Sequence, residues 1–246
     1  MKKYGLIGYP LDQSFSKDFF TKKFHNNNID AEYLNFELES IGEFPEIIDD
    51  NPNLIGFNIT IPYKEKILPF LTNLDKEAEK VMAVNTVKIQ VNPKEKRLVG
   101  YNTDVYGFEE TLKPHLQSHH TKALILGTGG ASKAVKYVLE KLGIEYKFVS
   151  RGKERGYLTY KKLNNDIIAE HTLIINTTPL GMFPDVDSYP VLPYNAITNK
   201  HLCYDLIYNP PETIFLKKSK EQGATTINGK DMLIKQAEKS WEIWNM

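Results

Sequence analysis

The sequence predicts an α/β protein built as two α/β domains, first a mixed sheet and then a doubly wound parallel sheet. Three observations predict it. Over the first hundred residues short strand-like runs alternate with helix-like ones. From KALILG onward, buried strand runs return between helix patterns, which is the βαβ signature. The small-residue stretch TGGAS joins the first of those strands to the helix pattern KAVKYVLEKL.

The elements follow in order. KYGLIG is a strand, and residues 16–27 form a helix pattern that Ser16 would cap. AEYLNFEL is a second strand, ESIGEFPEII a short helix and LIGFNIT a third strand. AVNTVKIQV and RLVGYN are strands joined by the turn-like NPKEK, and a helix pattern runs from Asp104 to about Leu116. The polar KPHLQSHHTK has no periodicity. KALILG, EYKFVS, HTLIINTT and HLCYDLIY are then successive strands. In the final GKDMLIKQAEKSWEIWNM, Leu233, Ala237, Trp241 and Trp244 recur at helical spacing.

Composition sets bounds on function. The chain has 246 residues, 41% hydrophobic and 25% charged, an ordinary globular composition. Lys+Arg 31 balances Asp+Glu 31, which argues against bulk attraction to nucleic acid or to an anionic membrane. A single cysteine, Cys203, excludes an internal disulfide framework and reads as a small buried hydrophobe. No run has the length of a membrane span, and the apolar run in MKKYGLIGYP is too short for a signal peptide. A soluble cytoplasmic protein is therefore expected, and the N-x-T matches at Asn58 and Asn176 read as chance.

Two stretches carry chemistry. In GFNITIPYK, Phe57, Ile59 and Ile61 make one strand face. Gly56, Asn58 and Thr60 make the other, small and uncharged, as in a pocket wall; Pro62 ends the ladder, lets a helix begin and sets Lys64 at the pocket mouth. In Gly127-Thr128-Gly129-Gly130-Ala131-Ser132, between strand and helix, glycines permit a tight turn and close approach of a pyrophosphate to free helix N–H groups. The next strand ends at Ser150 with no carboxylate and runs into Arg151, Lys153 and Arg155. Cations there suit a 2′-phosphate, so the cofactor is expected to be NADP; a solvated basic loop is the alternative.

Polar clusters at Ser14-Phe15-Ser16, Asn58-Ile59-Thr60, Val84-Asn85-Thr86-Val87 and Asn102-Thr103-Asp104 fall at strand ends, where ligands of α/β sheets collect. They suit a small acid bearing several hydroxyls. None of the six histidines lies in them, which leaves Lys64 and Asp104 for proton transfer, or as an ion pair between two elements.

These stretches, with GYPLDQSFS, AVNTV, GYNTD, LGTGGASKA, VSR, INTTPLGM, YDLIYNP and NGKDML..QA, run through nearly the whole chain in one order. Together they resemble the shikimate dehydrogenase family. The resemblance implies NADPH-dependent reduction of 3-dehydroshikimate to shikimate, in aromatic amino-acid biosynthesis. It implies that Ser14 and Ser16 hold the substrate carboxylate, that Thr60, Asn85 and Asp104 bind ring hydroxyls, and that Gln236 and Tyr208 lie at the substrate. Asn58 shares the pocket-facing side with Thr60. Lys64 matches the catalytic lysine, acting with Asp104. Gly127, Gly129, Gly130 and Ala131 match the pyrophosphate loop, Arg151 the 2′-phosphate arginine with Arg155 as a second, and Thr177, Leu180, Gly181, Met182 and Gly229 the nicotinamide end. The chain departs from the family in Lys17-Asp18-Phe19-Phe20-Thr21 after the second serine, and in Ser150 where asparagine is common. No metal is expected.

The implied architecture places residues 1–104 in a substrate domain and 105–228 in a Rossmann-like NADP domain, with the helix at 229–246 returning to the first. The chemistry is expected in the cleft between them, with closure excluding water. A monomer and a homodimer both remain open. So do a quinate/shikimate dehydrogenase using NAD or both cofactors, and a non-catalytic NADP-binding sensor of the same fold.

Overall fold

The computed structural model describes residues 1–11, 14–91, 95–152 and 156–246. It divides into two compact units, Met1–Thr103 with Ala237–Met246, and Asp104–Gln236.

The first unit holds a mixed sheet: β1 (Lys2–Gly8), β2 (Ala31–Glu37), β3 (Leu54–Ile59), β4 (Asn73–Leu74), β5 (Thr86–Val91) and β6 (Lys96–Tyr101). The order is β2-β1-β3-β5-β6-β4. β1 pairs in parallel with β2 and β3, whereas β5 runs antiparallel to β3 and β6. Alternation along β1 sends Tyr4 and Leu6 to one face and Ile7 to the other. On the first face they meet Phe20 and Phe24 of α1 (Phe15–Asn26), Tyr33 and Trp244. On the second, Ile7 joins Phe57, Ile59, Val87 and Phe44 of α2 (Phe44–Asp50). A further helix, α3 (Lys76–Val81), is capped by Asp75.

In the second unit α4 (Thr103–Leu112), whose first residue belongs to the first unit, precedes β7 (Lys122–Leu126), α5 (Gly130–Lys141), β8 (Glu145–Ser150) and β9 (Leu158–Thr159). Then come α6 (Asn165–Glu170), β10 (Leu173–Asn176), β11 (Leu202–Asp205), α7 (Ile214–Glu221), β12 (Thr225–Ile227) and α8 (Lys230–Asn245). The order is β12-β11-β10-β7-β8-β9, parallel throughout. The chain leaves β7 toward one edge and resumes at β10 on its other side. A crevice outside the carboxyl ends of the strands belongs at that switch point. Residues 123–126 of β7 are fully buried, as a strand covered on both faces must be.

Several details correct the sequence reading. The first helix is capped by Ser14, whose Oγ accepts the Lys17 N–H at 3.1 Å; Ser16 is buried one residue into the helix. No helix begins at Pro62. The chain makes one α-turn, closed by the Ile67 N–H to the Tyr63 carbonyl at 3.0 Å, and passes into a short 3₁₀ turn at Leu68–Phe70. Pro69 cannot donate to a continuing helix and disfavours it at Leu68. Because β3 stops at Ile59, Ile61 does not join Phe57 and Ile59 in the core and is 65% exposed.

The buried stripe of α8 is Met232, Gln236, Ala237, Ser240, Ile243 and Trp244, while Leu233 and Trp241 are half-buried. The division between units falls inside α8, after Gln236. Its first turns stay with the second unit because the Gly229 N–H bonds the Ile207 carbonyl at 2.9 Å and Gly107 of α4 lies against Met232. A Cβ on Gly107 would be 2.6 Å from the Met232 carbonyl oxygen. Asn58 and Asn176 are buried in hydrogen-bond networks, so neither N-x-T match is a surface acceptor. Cys203 is buried and its thiol is pushed up to about 12 by burial.

Two expectations follow for stability. A Cβ on Gly56 would lie 2.3 Å from Trp244 Nε1 and 2.7 Å from the Val87 carbonyl oxygen, which that indole N–H bonds at 3.0 Å. Gly56→Ala is expected to cost about 2 kcal/mol in urea unfolding, as overpacking does. In the second unit, His120 Nδ1 accepts the Gln117 N–H at 3.0 Å and its Nε2–H donates to the Lys200 carbonyl at 3.1 Å, an arrangement open only to the neutral ring. Burial, with His119 and His201 nearby, lowers the His120 pKa, and burial lowers that of His171. The unfolded chain then takes up protons first. This contribution to stability is full above the ordinary histidine value of about 6.5 and is lost as pH falls below it. His120→Gln is expected to flatten the slope of Tm against pH between about 6.5 and 5.

Candidate active site

In the first unit the polar side of β3 is built from the strand outward. Asn58 lies opposite Thr86 of β5, and its side chain is 4% exposed beneath α8. Its Oδ1 accepts the Tyr33 hydroxyl at 2.8 Å. Its Nδ2 faces the Asn85 carbonyl at 3.2 Å, Thr86 Oγ1 at 3.0 Å and Ser240 Oγ at 2.9 Å. Thr86 Oγ1 lies 2.8 Å from Ser240 Oγ and 3.2 Å from Thr103 Oγ1. Asn85 Oδ1 accepts the Thr103 N–H at 2.7 Å, which turns its Nδ2 the other way. Ser16 is a polar neighbour of the Tyr33 hydroxyl, while burial holds the pKa of that phenol far above its usual range. One chain of hydroxyls and amides thus joins Ser16, Tyr33, Asn58, Thr86, Asn85, Thr103 and Ser240.

Thr60 and Lys64 follow on the turn after β3. The Thr60 N–H bonds the Ile7 carbonyl and the Tyr63 N–H bonds the Thr60 carbonyl, both at 2.9 Å. The Val84 N–H bonds the Lys64 carbonyl at 2.8 Å, which seats Lys64 beside the strand leading to Asn85. Both side chains are half-buried. Ser14 accepts an amide through its oxygen as a cap, so its O–H is left to donate elsewhere.

The second unit carries the other residues. Asp104 is buried in the first turn of α4, where the helix dipole favours a carboxylate. Gln236 is buried in α8, its Nε2 bonding the Leu233 carbonyl at 3.0 Å. Gly127 follows β7 with φ 102°, and a Cβ there would be 2.9 Å from Thr177 Oγ1. Gly129 is the N-cap of α5, and among the described residues no side chain caps that helix. A Cβ on Gly129 would meet nothing within 4 Å. Ser132 closes the turn, its N–H and Oγ both bonding the Gly129 carbonyl, at 2.9 and 2.7 Å. Gly130 and Ala131 form the first turn of α5, and their N–H groups point out of its amino end. An open space above an uncapped helix start fits a pyrophosphate.

Ser150 is buried at the end of β8, exchanging hydrogen bonds with Gly152 at 3.1 Å, and Arg151 beside it is exposed. Arg155 lies outside the described residues. At the end of β10, Thr177 bonds the Leu126 carbonyl through its N–H at 2.9 Å and its hydroxyl at 2.7 Å. Leu180 and Gly181 are at least half-buried on the same loop and Met182 is exposed. Half-buried Tyr208 has a phenol raised by burial. Gly229 admits no side chain, since a Cβ would sit 2.0 Å from the Leu206 carbonyl oxygen.

Tyr33, Ser240 and Asp205 escaped the sequence reading. Ser240 was detectable as a hydroxyl three residues from Ala237 and four from Trp244, on the apolar face of its helix. No signal marked Tyr33, whose partners lie 17 and 25 positions away.

A parallel sheet with an uncapped glycine turn at its switch point, in a chain whose other unit bears small polar groups at its strand ends, defines a dinucleotide-dependent oxidoreductase of two α/β units. Residues 6–87 match the shikimate dehydrogenase substrate binding domain. The shikimate dehydrogenase (NADP(+)) of Methanococcus vannielii is 37% identical over 261 residues, covering 98% of this chain and 90% of that protein. The Aquifex aeolicus shikimate dehydrogenase structure superposes with a TM-score of 0.87 at 33% identity, covering 100% of this chain and 92% of that one. The Thermus thermophilus shikimate 5-dehydrogenase, solved in complex with NADP(H) and shikimate, gives 0.85 at 28% identity, covering 99% and 93%. The chain belongs to the shikimate dehydrogenase family.

Tyr33→Phe removes the hydroxyl shared by Ser16 and Asn58. It leaves buried Asn58 Oδ1 without its donor and is expected to lower stability by about 1–3 kcal/mol in urea unfolding.

Proposed function

We propose that the chain catalyses the reversible reduction of 3-dehydroshikimate to shikimate with NADPH, with Lys64 and Asp104 handling the proton. The observation that carries the assignment of Lys64 is its seat on the turn after β3, tied through its carbonyl to the strand of Asn85, in the unit that also holds Ser14, Ser16 and Thr60.

The roles follow from local chemistry. Ser14 and Ser16 donate O–H groups toward the substrate carboxylate near the start of α1. Thr60 and Asn85 address ring hydroxyls, and Asn58 supports them from beneath through Thr86 and the Asn85 carbonyl. Gln236 and Tyr208 complete the substrate contacts. Bound NADPH supplies the hydride. Lys64 then delivers a proton to the oxygen that gains negative charge, with Asp104 as the second group of the proton transfer. The turn Gly127–Ala131 receives the pyrophosphate. Arg151, with Ser150 and Arg155, receives the 2′-phosphate. Thr177, Leu180, Gly181, Met182 and Gly229 frame the nicotinamide. On this reading residues 1–104 with 229–246 serve the substrate and 105–228 the cofactor. Among the described residues no helix is long and apolar enough to cross a membrane. We place the enzyme in the cytoplasm, where NADPH is regenerated.

Lys64→Ala is expected to lower kcat about 10²-fold or more while NADPH affinity holds, because general acid–base catalysis contributes on that order. Full activity in this variant would remove the proton-transfer role. Arg151→Ala is expected to raise the KM for NADP about tenfold and leave the KM for NAD unchanged, the loss of one charge-assisted contact. Equal effects on both cofactors would remove the 2′-phosphate assignment.

A further inference from the structure

Asp205 ends β11 as a fully buried carboxylate. Its Oδ1 accepts Asn176 Nδ2 at 3.0 Å and the Ile207 N–H at 3.1 Å, and its Oδ2 accepts the Thr213 hydroxyl at 2.6 Å. Thr213 caps α7, so the carboxylate also lies at the positive end of that helix. Burial pushes the pKa of Asp205 up to about 7, against the hydrogen bonds from Thr213, Ile207 and Asn176. A buried acid with no ion-pair partner among the described residues is costly to the fold, and its partners show what it organises.

The carboxylate fixes which way the Asn176 amide faces. With Nδ2 on Asp205, Asn176 Oδ1 points into the following loop and accepts the Thr178 N–H at 3.1 Å and the Thr178 hydroxyl at 2.6 Å. Thr178 Oγ1 in turn accepts the Leu180 N–H at 3.3 Å. On its other side Asp205 holds the Ile207 N–H, and the Ile207 carbonyl takes the Gly229 N–H at 2.9 Å. One side chain therefore braces the loop of Thr177 to Met182, the turn that carries Tyr208, and Gly229.

We propose that Asp205 is a positioning residue that holds the 176–182 loop and the 206–208 turn in the shape that receives the nicotinamide end of the cofactor. The proposal rests on the functional reading above. It separates two ends of one cofactor, because Asp205 braces the nicotinamide loop and Arg151 stands at the end of a different strand.

The test is fluorescence titration of NADPH and NADH with the full chain and three variants. Asp205→Ala frees the Asn176 amide and is expected to weaken NADPH and NADH alike, about tenfold, leaving their ratio unchanged. A merely structural role would lower Tm and leave both affinities alone. Asp205→Asn keeps an oxygen for Asn176 and Ile207 and is expected to recover affinity to within about threefold. Thr178→Val cuts the relay farther out, on a half-buried loop residue, and keeps the question answerable where Asp205→Ala does not fold. It is expected to weaken both cofactors about fivefold. Unchanged affinities in Thr178→Val and in folded Asp205→Ala would overturn the proposal alone. Absence of NADPH binding by the unaltered chain would overturn the functional reading and the proposal with it.

Discussion

The side-chain amide of Asn58 is the joint on which the first unit depends. It is buried between β3 and α8, where each unmet donor or acceptor would cost about 1–3 kcal/mol. Its needs are met by Tyr33 from β2, Asn85 and Thr86 at the start of β5, and Ser240 from α8. A hydrophobe there would pack but would not choose one arrangement. The amide has a distinct oxygen and nitrogen, and each partner it selects orients a second group: Tyr33 engages Ser16, and Thr86 with Ser240 engages Thr103. Residues assigned to the substrate thus inherit their orientation from a network that need not touch it.

The second unit solves a similar problem with different parts. Parallel strands end at one edge with their last carbonyls and the first N–H groups of the following helices. At α5 no side chain among the described residues caps those N–H groups, because the N-cap is glycine. At α7 they are capped by Thr213, which Asp205 holds in turn. The contrast leaves one helix start open for the pyrophosphate proposed there and ties the other into the frame. Glycine has three uses here. Gly127 supplies a positive φ, Gly129 leaves space open, and Gly229 allows two backbones to touch.

Much of this was legible in the sequence. The four strands KALILG, EYKFVS, HTLIINTT and HLCYDLIY all form, because an apolar run of strand length between turn signals has few alternatives in an α/β chain. The glycine turn was legible because its mechanism depends on local order alone. Features set by tertiary partners were not. The α1 cap passed to Ser14 because either serine satisfies the local rule. The helix expected at Pro62 was cut short by Pro69. The short α3, α6 and α7 and the two-residue β4 and β9 carry too few residues for a period to show. Asp205 was hidden in plain view inside HLCYDLIY, since an acid in an apolar run declares itself only through the partners the fold brings to it.

The most direct measurement is initial-rate formation of reduced nicotinamide by the purified chain, with shikimate or quinate as substrate and NADP or NAD as cofactor. Turnover with shikimate and NADP, exceeding every other combination, is the expected result. Equal or faster turnover with quinate, or with NAD, would contradict the substrate or cofactor assignment. Silence in all four mixtures while NADPH still binds would contradict the catalytic assignment and leave a cofactor-binding protein with the same fold.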